Sequence, residues 1–117
     1  MNNKQLGTAF EHEVCQVLKD NGWWVHFLSP DNSGAQPFDI IAVKGGFAIA
    51  VDAKTSNTHR FSIDRLESNQ KLAFDKWLRC GNSMPQIAVK YKGHMIWITY
   101  HELKKNKVVD LRRKIDG

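Results

Sequence analysis

The chain has 117 residues, 42% hydrophobic and 25% charged, with a net charge of +5 and an isoelectric point near 9.4. That length holds one domain with a real core and excludes two; no apolar run approaches the ~20 residues of a membrane span, and Lys4, Glu11 and Glu13 interrupt any signal-peptide pattern. Cys15 and Cys80 lack CxxC or Cys/His zinc spacing and the histidines lack ligand spacing, so the cysteines read as reduced thiols of a cytoplasmic protein, while the basic balance favours an anionic partner.

In chain order, residues 4–21 read as an amphipathic helix, with Leu6, Phe10, Val14, Val17 and Leu18 on its apolar stripe and Asn21-Gly22 as the stop. Glu11 borders one edge of the stripe and Glu13 the other; the helical wheel does not decide between them. Trp23–Leu28 reads as a strand rich in aromatic and β-branched residues. Residues 29–37 are dense in turn formers; this loop reads either as a plain connector or as one that carries small hydroxyls and backbone N–H groups, such as those of Ser33, toward a phosphate.

Residues 37–54 then form two short apolar strands around Gly45-Gly46. Three charges interrupt them: Asp39, Asp52 and Lys54. Burying a charge is costly unless it is paired or holds a metal. Strand alternation puts Phe47, Ile49 and Val51 on one face and Ala48, Ala50, Asp52 and Lys54 on the other, with Asp52 and Lys54 roughly 7 Å apart. Antiparallel pairing brings Asp39 beside Asp52. Two converging carboxylates make a hard oxygen site suited to Mg²⁺. A neighbouring lysine orients water or stabilises developing negative charge. The competing reading is an ordinary buried ion pair between Lys54 and Asp52.

Residues 55–60 are polar and read as exposed. Residues 62–79 read as the second long helix, with Asp64 and Glu67 spaced as a capping box and Leu66, Ala73, Phe74, Trp77 and Leu78 on its apolar face. Lys71, Lys76 and Arg79 fall on its polar face, and Gln70 lies where its amide reaches either a site or water. Residues 86–91 and 95–100 form a closing hairpin around Lys92-Gly93-His94, and residues 101–103 begin a short helix. Residues 104–117 hold six Lys/Arg against two Asp, leaving a balance of only +1 for residues 1–103. They read as a basic tail beside a single domain at 1–103, with a solvated, poorly ordered end as the plain alternative. The order α-β-β-β-α-β-β points to a mixed α/β sheet with helices packed on it.

These residues resemble a known pattern. Gly7 followed by Glu11, then Pro37-Phe38-Asp39-Ile40-Ile41, then Val51-Asp52-Ala53-Lys54, then Arg60-Phe61-Ser62-Ile63 with Gln70, are similar in order and spacing to the motifs of the PD-(D/E)xK nuclease superfamily. Within it the chain is most similar to Holliday-junction resolvases of the archaeal Hjc and bacterial RecU types, from Lys4 to about Leu103.

The resemblance implies a restriction-endonuclease-like αβββαβ core, a mixed central sheet flanked by helices. It implies a metal-dependent endodeoxyribonuclease of recombination or repair that leaves 5′-phosphates and uses Mg²⁺, with Mn²⁺ as a substitute. Asp39, Asp52 and the Ala53 carbonyl are the implied metal ligands. Lys54 is implied to orient the attacking water, and Glu11 to bind a second metal or its water, with Gln70 in support. A homodimer acting on four-way junctions is implied, because resolution needs two symmetric cuts. Ser33, Arg60, Lys71, Lys76, Lys104 and Lys105 are candidate DNA contacts.

Two departures stand out. Asp52 occupies a position where these resolvases usually carry Glu, and there is no room for a RecU-type stalk. The first leaves open a non-catalytic DNA-binding protein on the same fold. The second leaves open a nuclease for flaps, nicks or restriction sites.

Overall fold

The computed structural model describes residues 3–28 and 37–116. Helix α1 (Asn3–Asp20) buries Phe10, Val14 and Leu18, a row at i, i+4 and i+8. Val17, expected in the same stripe, is exposed. Strand β1 (Trp24–Phe27) follows, then β2 (Ile40–Lys44) and β3 (Phe47–Thr55). Gly45 and Gly46 both have positive φ, 58° and 83°, as a tight hairpin turn between right-twisted strands requires.

The region expected as one helix from Ser62 divides. Residues Arg60–Ser62 form strand β4, Ile63–Arg65 a single 3₁₀ turn, and Ser68–Arg79 helix α2. Ser62 is extended and its hydroxyl accepts from the Asp64 N–H, which stops helix at that point. The capping box lies one turn later than the Asp64/Glu67 spacing suggests. It joins Glu67, the N-cap, to Gln70. The break lets Phe61 and Leu66 both enter the core.

Strands β5 (Gln86–Tyr91) and β6 (His94–Thr99) make the closing hairpin, followed by α3 (Tyr100–Asn106), β7 (Val108–Asp110) and α4 (Leu111–Asp116). The main sheet runs β1-β2-β3-β5-β6. Only β3 and β5 are parallel, and α2 lies in the crossover that such a pair needs. The sheet is therefore mixed, as expected. On one face α1 packs over Ile40, Ala42, Ile49, Val51 and Ala88; on the other Phe74 of α2 meets Ala50, Ile87, Val89 and Leu103.

The segment expected as a tail departs from that expectation. Position 103/104 falls inside α3, β7 pairs antiparallel with β4, and Val109 and Leu111 are buried with Phe61 and Leu66. Charge dominates the composition after Lys104, yet Val108, Val109 and Leu111 supply enough apolar surface to anchor it.

Candidate active site

Strand β3 is longer than its partner β2. Their last pair is Ile40 with Val51, whereas β3 continues to Thr55 alongside β5. Asp39 occupies the gap this leaves. Its N–H donates to the Val51 carbonyl at 3.2 Å, which sets it across from Asp52. Its Oδ2 accepts from the Ala53 N–H at 2.9 Å. N–H and C=O of one strand residue project to the same side, so the Ala53 carbonyl faces that edge too.

Asp52 is only 1% exposed. Its Oδ1 accepts from Gln70 Nε2 at 3.0 Å. Its Oδ2 accepts no hydrogen bond and lies 3.3 Å from Lys54 Nζ. Lys54 in turn donates to Gln70 Oε1 at 3.2 Å, and the same oxygen accepts from the Glu67 N–H at 3.0 Å. Gln70 thus holds both charged residues of β3 from the first turn of α2, and the backbone contact at Glu67 fixes which end of its amide meets which partner.

Glu11 reaches the same edge from α1 on the opposite face and shares a hydrogen bond with Asp39. Burial, followed by the charge of Asp39, pushes its carboxyl up to about 7, with Lys54 opposing. Burial and then the Asp39 charge also raise Asp52 well above the usual carboxylate range, again against Lys54. Three carboxylates and one lysine thus crowd together, and the buried Asp52 Oδ2 has the Lys54 ammonium at 3.3 Å but no hydrogen bond.

Glu11, Asp39, Asp52, Lys54 and Gln70 therefore converge. The expected DNA contacts do not join them. Arg60 is exposed on β4, Lys71 and Lys76 lie on α2, and Lys104 and Lys105 are exposed on α3. Lys104 is paired with Asp75 at 3.3 Å. Ser33 and its loop lie outside the described residues. Glu13, the alternative to Glu11 on the wheel, instead binds Lys90 at 2.9 Å. Gln70, expected to reach either a site or water, reaches the site, and its place as N3 of the capping box with Glu67 is what holds it there.

Among the described residues, no three His, Cys, Asp or Glu side chains are gathered into a closed metal-ligand set. A hard divalent ion that keeps several waters needs only one or two carboxylates. Asp39, Asp52 and the Ala53 carbonyl meet that need. The Asp52 Oδ2 that accepts no hydrogen bond, and the crowding by Asp39 that raises both Glu11 and Asp52, fit such an ion.

The chain is 28% identical over 111 residues to the crossover junction endodeoxyribonuclease Hjc of Methanocaldococcus jannaschii, which covers 92% of this chain and 78% of that one. To the crossover junction endodeoxyribonuclease Hje of Sulfolobus acidocaldarius it is 26% identical over 112 residues, 94% of this chain and 73% of the other. The solved structure of Hjc from Archaeoglobus fulgidus superposes with a TM-score of 0.74 over 95% of this chain and 93% of that one, at 17% identity, so the two share a fold. The family described as archaeal Holliday junction resolvase (hjc) matches residues 2–116, and the chain belongs to that family.

Proposed function

We propose that this chain is a Mg²⁺-dependent endodeoxyribonuclease that resolves four-way DNA junctions as a homodimer. The observation that supports it most is the meeting of Asp39, Asp52, Lys54 and Glu11 where β3 outruns β2, in a chain of the resolvase family. When bound, a divalent ion supplies Lewis-acid activation of water and neutralises charge on the phosphate.

The chain's own groups do the rest. Asp39 and Asp52 would hold the ion, with the Ala53 carbonyl as a further oxygen. Lys54 orients the attacking water and stabilises charge developing on the phosphate oxygens. Glu11 supports Asp39 and would bind a second ion or its water. Water adds at phosphorus, the bond to the 3′ oxygen breaks, and the products are a 5′-phosphate and a 3′-hydroxyl. No helix among the described residues is long and apolar enough to cross a membrane, and a cytoplasmic site of action suits a DNA enzyme.

Cleavage of a labelled four-way junction beside a linear duplex of the same arms, in Mg²⁺, Mn²⁺ or EDTA, tests this. Paired symmetric nicks confined to the junction are expected in either metal and absent in EDTA. Asp52→Ala should lose cutting and keep junction binding. Tight binding without cutting in either metal would overturn the enzyme reading. Cutting of every substrate would overturn junction selectivity.

A further inference from the structure

One residue past Lys54, β3 ends at Thr55 beside a polar cleft of about 620 Å³. The Thr55–Thr58 loop lines it together with Arg65, Lys90 and Lys92, and no carboxylate is among its lining residues. None of these three cations was singled out from the sequence alone. They come from three separate elements, and the pairing of Thr55 with Lys90 brings the second β3 neighbour into the cleft.

The loop is held from within. The Ser56 N–H donates to the Lys90 carbonyl at 2.9 Å, and the buried Ser56 hydroxyl donates to the Thr58 carbonyl at 2.8 Å. Arg65 Nη2 donates to the Thr55 carbonyl at 2.7 Å while its guanidinium lies over the Phe61 ring. That uses one of five guanidinium donors. Lys92 sits in the β5–β6 turn, with its ammonium 5.5 Å from the Tyr91 ring centre. Among the described residues neither Arg65 nor Lys92 forms an ion pair, whereas Lys90 is taken by Glu13. An ordered polar loop faced by two unneutralised cations, with no acid in the lining, is suited to a phosphate.

We propose that this cleft binds a backbone phosphate of the substrate DNA that flanks the scissile one, with Arg65 and Lys92 as its contacts. This rests on the reading of the chain as a DNA nuclease. Such contacts fix the register of the strand relative to Lys54 and carry no base preference.

Equilibrium binding of a fluorescent four-way junction in EDTA, where no cutting occurs, across a series of NaCl concentrations, tests it. Each phosphate contact contributes roughly 0.9 to the slope of log affinity against log salt. Arg65→Gln keeps an amide donor for the Thr55 carbonyl. Lys92→Asn suits the backbone there, whose φ of 48° Asn adopts readily. Each variant should make the slope shallower by about one contact, and the pair by about two. Lys19→Gln, an equal loss of charge on exposed α1, should leave it unchanged. If wild type binds with a steep slope and both cleft variants match it, the cleft is not a phosphate site, and the nuclease reading stands. If wild type shows no salt-dependent binding to junction or duplex, the nuclease reading falls and takes the cleft with it.

Discussion

Replacing Gln70 with alanine would cut one side chain and release two others. Gln70 is 7% exposed and makes three hydrogen bonds, one from Nε2 to the Asp52 carboxylate and two at Oε1, from Lys54 and from the Glu67 backbone. Hydrogen bonds to charged groups are worth about 1.5–3 kcal/mol each, and removing one partner leaves a buried polar atom unsatisfied. The three share one amide, so their losses do not add. A net destabilisation of about 2–3 kcal/mol follows, or roughly 8–12 °C in Tm at about 4 °C per kcal/mol for a domain of this size.

The effect on catalysis is separate. Without the amide, Asp52 and Lys54 lose the contact that sets their relative position. Loss of a partner that orients a metal ligand typically costs about 10–100-fold in metal affinity or activity. The assay is single-turnover junction cleavage against Mg²⁺ concentration, below the melting range of the variant, beside a denaturation curve. A rightward shift of the Mg²⁺ dependence with junction binding retained is expected. Gln70→Glu should be worse than alanine, because a carboxylate cannot donate to Asp52 and adds a like charge. Wild-type Mg²⁺ dependence in Gln70→Ala would refute the positioning role, whatever the change in Tm.

Two more outcomes follow. In metal-free buffer the folded chain holds protons on Glu11, raised to about 7, and on Asp52, also raised, at pH values where the unfolded carboxyls have lost theirs. Both contributions are greatest below the unfolded range near 4–4.5; that of Glu11 is lost as pH rises through about 7, and that of Asp52 as pH rises above the usual carboxylate range. Tm in EDTA should fall across that window, Glu11→Gln should flatten the fall, and Mg²⁺ should raise Tm more at neutral than at acid pH. Identical profiles for wild type and Glu11→Gln would count against this electrostatic picture. Leu111→Ala removes a side chain that is 0% exposed, and the usual cost of such a cavity is about 2–5 kcal/mol. Chemical denaturation that registers no loss would mean that the last helix does not complete the core.

Much of the fold was legible because its signals are local. The row Phe10, Val14 and Leu18, the paired glycines between β2 and β3, and the alternation through β5 and β6 each specify an element with no help from distant residues. The strand-borne acids and lysine were legible for the same reason. A charge inside an apolar strand stands out, and a period of two puts Asp52 and Lys54 on one face. Glu11 could not be separated from Glu13 by the wheel, since both flank the same stripe. Only the packing of α1 across the sheet sends one to Asp39 and the other to Lys90 on β5.

The misread stretches depend on partners far away in the chain. Residues 62–67 have enough helical character to extend α2, but Phe61 pairs with Val109 and the chain bends so that Leu66 also reaches the core. The same pairing turns a charged terminal segment into part of the fold. By itself the sequence determined which residue types can perform phosphodiester chemistry and the strand spacing that aligns two of them. The tertiary structure decided that Glu11 and Gln70 close on that pair from opposite faces, because the end of β2, where the central strand β3 runs on, gathers groups whose separation along the chain carries no signal of their contact.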